Sequence, residues 1–87
     1  MRRVVEVINE RGLHARVAAR IATTAGEFDA DVRIGCRGQH VSALSIMGLL
    51  MLAASNGTKL ELTASGTEAE AAIDTLAALF AAGFEET

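Results

Sequence analysis

The stretch from Asp31 to Val41 constrains the fold more than any other part of the sequence. Apolar and polar residues alternate from Asp31 to Arg37, which is typical of a strand with one buried face. The turn residues Arg37-Gly38-Gln39 follow at once and predict a hairpin that returns the chain toward Val41. Such a hairpin joins antiparallel strands, because a parallel pair needs a much longer crossover. A sheet with all its strands parallel is therefore excluded.

Two further elements precede this hairpin. Val5 and Val7 flank a glutamate in a short alternating segment, which predicts a first strand. Between positions 15 and 25 the apolar residues recur at spacings of three and four, which predicts a helix with one buried stripe, and Gly26 is expected to end it. The residue before this helix is His14, although Ser, Thr, Asp and Asn are the usual residues at such a junction.

Three elements follow the hairpin. Ser45 is a natural cap for a second helix, which we expect to run to the stop signal Asn56-Gly57. Positions 60–64 alternate between apolar and polar residues and predict a fourth strand. Thr67 begins a capping-box pattern, with a glutamate three residues later, ahead of a third helix. The residues expected to face the core along this helix, and the glycine expected to end it, are Ile73, Leu76, Ala77, Phe80 and Gly83.

The resulting order of elements is β-α-β-β-α-β-α. We expect an α+β fold, an open-faced sandwich in which three helices cover one face of a four-stranded antiparallel sheet. The 87 residues are expected to form one domain, 1–87, because a chain of this length builds a single core. Hydrophobic residues make up 51% of the chain but aromatic residues only 3%, so we expect a core of closely packed Ala, Leu, Val and Ile.

Charge and hydropathy exclude several classes of partner. The formal net charge is -3 and the basic residues are scattered, apart from Arg2 and Arg3, so we expect no binding to nucleic acid. The longest apolar run, positions 43–54, is shorter than the roughly 20 residues that a membrane helix needs. Because Arg2 and Arg3 lead directly into a strand, we expect no signal peptide, no membrane insertion and a cytoplasmic location.

The sequence offers few residues for metal or redox chemistry. Cys36 is the only cysteine, so it has no internal disulfide partner, and its place in the alternating segment predicts a buried, inert thiol. The two histidines are His14 and His40, and His40 is expected to be a solvated strand residue after the hairpin turn. We therefore expect neither a metal site nor a bound cofactor.

The second helix carries more apolar surface than one core is expected to bury. On a wheel of about 100° per residue, Leu49, Leu52 and Ala53 share one side. The residues that point largely away from that side are Met47, Leu50 and Met51. Exposed Met and Leu indicate a docking surface for protein partners, and Met adapts to more than one partner. A loosely amphipathic helix in a strongly hydrophobic chain explains the same pattern without a partner.

His14 stands where the start of a helix can bind an anion. The first amides of a helix lack intrahelical acceptors and lie at the positive end of its dipole. A phosphoryl group on a ring nitrogen of His14 would lie against the amides of Ala15, Arg16 and Val17, and the Arg16 guanidinium would add charge-assisted hydrogen bonds. Imidazole is also a good nucleophile near neutral pH. An ordinary surface pair of histidine and arginine explains the same residues on composition alone.

Two motifs carry a resemblance to a known family. Gly-Leu-His-Ala-Arg at positions 12–16 and Ser-Ile-Met-Gly at positions 45–48 resemble motifs of HPr, the histidine-containing phosphocarrier family of the bacterial phosphoenolpyruvate-dependent phosphotransferase system. The resemblance extends over essentially the whole chain, including its length and its order of elements. It implies an HPr-like domain that carries phosphoryl groups and is not a free-standing enzyme.

The resemblance also implies a route for the phosphoryl group. Enzyme I, charged by phosphoenolpyruvate, would pass the group to Nδ1 of His14, and His14 would pass it to an enzyme IIA protein, with Arg16 assisting the transfer. The residues that match the docking surface for both partners are Ile46, Met47 and Leu50. A diffusing carrier with one exposed apolar patch is expected to be a monomer.

Two positions of the family pattern concern regulation and rate. Ser45 matches a serine that an ATP-dependent HPr kinase/phosphorylase modifies in many members, although its role as a helix cap also explains it. A phosphate there would add about two negative charges beside the docking surface. Val17 stands where the family usually has proline, which leaves an additional backbone amide and a looser first turn.

Three functional hypotheses follow. The first is a phosphoryl carrier for sugar uptake or for nitrogen-linked regulation, and Val17 and the few charged residues slightly favour regulation. The second is a signalling module controlled through Ser45, in which His14 is idle. The third is a regulatory domain that binds a small molecule, which needs a cluster of convergent polar groups that the sequence does not offer.

Overall fold

The computed structural model describes residues 1–86. Its four-stranded sheet has the strand order β1-β4-β2-β3, and each neighbouring pair is antiparallel. Three α-helices cover one face of the sheet, which confirms the predicted open-faced sandwich. The elements are β1 (Arg2–Glu6), α1 (Ala15–Ala25), β2 (Asp31–Cys36), β3 (Gln39–Ser42), α2 (Ile46–Met51), β4 (Lys59–Ser65), α3 (Ala69–Ala81) and a short 3-10 turn (Gly83–Glu85).

The β2–β3 hairpin forms where the sequence predicted it. Cys36 pairs with Gln39, so the turn consists of Arg37 and Gly38 alone. Both turn residues have positive φ values, 50° and 82°. This is the geometry of a two-residue turn whose twist matches that of the strands it joins. The hairpin places β3 at one edge of the sheet, while β4 lies between β1 and β2.

The core lies between the helices and the covered face of the sheet. Cys36 is buried at the end of β2, as the alternation predicted, and His40 is exposed on β3. The largest fully buried side chains are Val7, Val17, Ile21, Ile34, Leu49, Leu60, Leu62, Ile73, Leu76 and Phe80. Among residues 1–86, no helix has the length and apolar character needed to cross a membrane.

The predicted end of the second helix is wrong. α2 stops at Met51 and does not continue to residues 56–57, which instead form a turn into β4. Ala53 has a positive φ of 52°, which turns the chain away from the helix. The Ala54 carbonyl then accepts a hydrogen bond of 3.0 Å from the Leu13 amide. Because the helix ends early, Ala53 is exposed and does not lie on the buried side as predicted.

The predicted start of the third helix is also wrong. Thr67 does not cap α3, since Glu68 occupies the N-cap position and forms no capping bond with its side chain. The Glu68 carboxylate instead accepts a hydrogen bond of 2.7 Å from the Asp29 amide, and the Glu68 amide donates to the Asp29 carbonyl at 2.9 Å. These bonds tie the start of α3 to the loop before β2. The helix stops at Ala81, and Gly83 follows with a positive φ of 60°, close to the predicted end.

Candidate functional site

His14 forms the N-terminal boundary of α1. Its backbone is extended, with φ -88° and ψ 177°, and its carbonyl accepts a hydrogen bond of 2.9 Å from the Ala18 amide. Within the described residues its side chain makes no capping hydrogen bond. The first amides of a helix have no acceptor within the helix, and no group among residues 1–86 accepts a hydrogen bond from those of Ala15, Arg16 and Val17. The structure thus places the histidine at a helix start, as predicted, and its side chain does not cap that helix.

The loop before α1 fixes the position of His14. Gly12 has a positive φ of 69°, and a Cβ atom there would lie 2.5 Å from the Ala54 carbonyl oxygen. Since that oxygen also accepts the hydrogen bond from the Leu13 amide, the loop and the segment after α2 pack backbone against backbone. Glycine is therefore required at this position for two reasons: it adopts a positive φ without strain, and it has no Cβ atom to clash with the carbonyl oxygen.

The His14 ring contacts the C-terminal segment of the described chain. Its Nε2 atom lies 2.6 Å from Oε2 of Glu86, and the two side chains are only 18% and 21% exposed. The buried Asn9 donates from Nδ2 to Oε1 of Glu86 at 3.0 Å and to the Gly12 carbonyl at 2.8 Å. Partial burial raises the pKa of Glu86, but the hydrogen bonds from His14 and Asn9 outweigh it and hold that pKa below 4.5.

Arg20 fastens this C-terminal segment to α1. Its guanidinium donates to the Phe84 carbonyl at 3.0 Å and to the Glu85 carboxylate at 2.6 Å. The Phe84 ring is buried and meets Phe80 edge to face, with 4.8 Å between the ring centroids. A buried aromatic ring and two hydrogen bonds thus hold the segment that carries Glu86.

Arg16 lines an open cavity at the N-terminal part of α1. The cavity has a volume of about 410 Å³ and lies between the start of α1 and the C-terminal segment. Arg16 is exposed, and within residues 1–86 the structure pairs it with no carboxylate. Its guanidinium is therefore free to bind an anion at the helix start. Val17 also borders the cavity, and its side chain is buried in the core.

Ser45 and the exposed face of α2 form a second region of interest. Ser45 caps α2, since its Oγ accepts a hydrogen bond of 3.0 Å from the Gly48 amide. Of the residues predicted for partner binding, Ile46 and Met47 are exposed, at 41% and 70%, whereas Leu50 is half-buried against the core. The exposed apolar residues that extend this face are Leu44 and Met51.

Sequence reasoning missed the polar neighbours of His14. The sequence predicted no role in the site for Asn9 or for the residues after Gly83. Two signals were present: Arg20 follows Arg16 by four residues and so shares its side of α1, and two consecutive glutamates occur in the segment after α3. Neither signal specifies that Glu86 meets a residue 72 positions away.

Comparisons with known proteins agree with the fold. A family model described as "PTS HPr component phosphorylation site" matches residues 1–82. The chain is 42% identical to a phosphocarrier protein NPr of Shewanella violacea over 86 residues, which cover 99% of this chain and 94% of the relative. It is 41% identical to a phosphocarrier protein HPr of Cupriavidus necator, with 99% and 97% covered. A crystal structure of HPr from Thermoanaerobacter tengcongensis superposes with a TM-score of 0.95 at 36% identity, covering 100% of this chain and 98% of that one.

Proposed function

Because this chain belongs to the HPr family of phosphocarrier proteins of the bacterial phosphotransferase system, we propose that His14 accepts a phosphoryl group from Enzyme I and donates it to enzyme IIA proteins. Members of the family are carriers and not catalytic enzymes. The observation that carries the proposal is a histidine that begins a helix without capping it. The amides of that helix start are then available to the phosphoryl oxygens.

The start of α1 supplies the groups that phosphoryl transfer needs. The lone pair of His14 Nδ1 forms the bond to phosphorus, while the bond from phosphorus to the donor group on phosphorylated Enzyme I breaks and leaves its electron pair on that group. The phosphoryl oxygens then face the amides of residues 15–17 and the guanidinium of Arg16. Such fixed donors stabilise negative charge without reorganising.

The exposed face of α2 is the proposed docking surface. Ile46 and Met47 are exposed, and Leu50 is half-buried and packs against the core. Together the three side chains form an apolar patch. Two partners of different shape can use the same patch because methionine adapts its side chain to each. The hydrogen bond from the Leu13 amide to the Ala54 carbonyl joins this region to the loop before His14.

Ser45 is the proposed regulatory site, as a substrate of an HPr kinase/phosphorylase. Its hydroxyl lies at the start of α2, where the helix dipole tolerates a phosphate. The modification would place about two negative charges beside Ile46 and Met47 without removing a core contact. We expect it to weaken docking and leave the fold intact.

The carrier is proposed to act as a monomeric domain, 1–87, in the cytoplasm. Sugar uptake and nitrogen-linked regulation are both compatible with the relatives, which include proteins called HPr and NPr. Transfer from the phosphorylated protein to purified enzyme IIA proteins of each branch separates the two roles.

Intact-mass analysis tests the proposed function. The protein is incubated with Enzyme I from the same organism, Mg²⁺ and phosphoenolpyruvate, and its mass is measured before and after mild acid. We expect one added phosphoryl group that is acid-labile in the wild type and absent from His14→Ala. An unlabelled wild type would overturn the proposal and would favour a module controlled through Ser45.

A further inference from the structure

The contact between His14 and Glu86 determines where the ring hydrogen lies. A carboxylate accepts hydrogen bonds and cannot donate them, so the 2.6 Å contact between Nε2 and Oε2 requires a hydrogen on Nε2. A neutral imidazole carries a single N–H. When Nε2 holds that hydrogen, Nδ1 carries an unprotonated lone pair that can act as the nucleophile.

We propose that Glu86 is a positioning residue that holds His14 in the tautomer protonated at Nε2 and thereby makes Nδ1 the nucleophile. The inference rests on the proposed carrier function and adds a residue to its site. Glu86 acts through His14, since its carboxylate contacts the ring on the nitrogen that does not receive the phosphoryl group. Its effect therefore concerns the orientation and charge of the ring.

The carboxylate of Glu86 is itself held in place. One oxygen bonds to His14 and the other accepts a hydrogen bond from Asn9, whose side chain is buried and also bonded to the Gly12 carbonyl. Arg20 holds the neighbouring Phe84 carbonyl. Exposed ion pairs between freely moving side chains contribute little. This pair differs from them because both partners are mostly shielded and are supported by further bonds.

The transfer step shows what the carboxylate contributes. As Nδ1 bonds to phosphorus and the donor group on Enzyme I leaves with its electron pair, the ring gains a substituent on Nδ1 and keeps its hydrogen on Nε2. The ring then carries a positive charge beside the Glu86 carboxylate, which stabilises it. When the group moves on to an enzyme IIA protein, the electron pair of the N–P bond returns to Nδ1. The hydrogen on Nε2 stays in place throughout, so Glu86 transfers no proton.

Ring ¹⁵N chemical shifts and transfer rates together test the proposal. The variant is Glu86→Ala, and the matched control is Glu27→Ala, an exposed glutamate just beyond the far end of α1. At a pH where the ring is neutral, we expect the wild type and the control to show a protonated Nε2 and an unprotonated Nδ1. Glu86→Ala should show the averaged shifts of a ring that exchanges between both tautomers. Its rate of phosphoryl acceptance from phosphorylated Enzyme I should fall about tenfold, by analogy with the lower end of the loss seen when the hydrogen-bond partner of a metal-bound histidine is removed.

The outcomes separate this inference from the function on which it rests. If the ring ¹⁵N chemical shifts of Glu86→Ala match those of the wild type, the proposal is overturned, whatever the rate of phosphoryl transfer. Changed shifts with an unchanged rate would also overturn it, because the contact would then orient the ring without serving the reaction. A wild-type protein that Enzyme I does not phosphorylate would instead refute the carrier function, while the shifts would still report the tautomer.

Discussion

The starts of α1 and α2 differ in how their first residue is used. Ser45 directs its hydroxyl to the Gly48 amide at 3.0 Å and so caps α2. His14 occupies the same position on α1 but points its ring at Glu86, 2.6 Å away, and caps nothing in the described structure. The first side chain thus accepts a hydrogen bond from an amide of its own helix, whereas the second makes no such bond. Under the proposed function, a phosphate at Ser45 would have to replace a cap, but a phosphoryl group on His14 would supply one.

The largest expected effect is the loss of phosphorylation when His14, but not Ser45, is replaced. We expect His14→Ala to abolish acid-labile phosphorylation and Ser45→Ala to retain it. In stability, Ser45→Ala should lose about 1 kcal/mol in the free energy of unfolding, because the cap of α2 is removed. Urea denaturation measures the latter and intact mass the former. Acid-labile labelling of His14→Ala would remove the distinction between the two helix starts.

The next effect concerns the loop that holds His14. Gly12→Ala introduces a Cβ atom 2.5 Å from the Ala54 carbonyl oxygen at a residue with positive φ, so we expect a loss of about 3 kcal/mol in unfolding free energy. The control is Gly38→Ala, which has a positive φ but no atom within 4 Å of the added Cβ. That change should cost about 1 kcal/mol. Equal losses in urea denaturation would show that the close approach at Gly12 does not matter.

A smaller effect is expected when charge is added at α2 without loss of the cap. Ser45→Asp and Ser45→Asn both retain a good capping side chain, but only aspartate adds a negative charge. We expect the KM of phosphorylated Enzyme I for this protein to rise roughly fivefold in the aspartate variant, equivalent to about 1 kcal/mol. In the asparagine variant the KM should change little. Steady-state transfer kinetics measure both. An equal rise in the two variants would attribute the effect to the lost serine and not to charge.

The smallest effect is the pH dependence of the Glu86 contacts. Because the pKa of Glu86 is lower in the folded protein than its ordinary value of 4.5, its contribution to stability is fully present above that value. The contribution is lost as the pH falls through the lowered pKa, where the carboxylate becomes protonated in both states. The urea midpoint of Glu86→Ala should therefore lie below that of the wild type at pH 6, and the difference should shrink below pH 4.5. A difference that is constant with pH would rule out the ionic contribution.

Local patterns predicted most of the fold. The bounds of α1 were predicted because its apolar stripe, its histidine boundary and Gly26 all lie within one short segment. The two helix boundaries that were predicted wrongly depend on contacts between residues far apart in the sequence. α2 stops where the chain turns to bring Ala54 to Leu13, and Thr67 does not cap α3 because Glu68 bonds to Asp29.

The candidate site was predictable only in part, for the same physical reason. His14 and Arg16 follow from a contiguous motif at a helix start. Asn9 and Glu86 join the site only after the sheet has brought the two ends of the chain together. Glu86 also depends on the packing of Phe84 against Phe80, which no local pattern specifies.

Backbone amide spectra before and after phosphorylation test most directly whether the two helix starts differ as described. The protein labelled with ¹⁵N is phosphorylated with Enzyme I and phosphoenolpyruvate. We predict large shifts of the Ala15, Arg16 and Val17 amide resonances, because these free donors gain a phosphoryl acceptor, and little change at residues 46–48, where Ser45 already caps the helix. Phosphorylation on His14 that leaves the amides of residues 15–17 unshifted would contradict this account of the site.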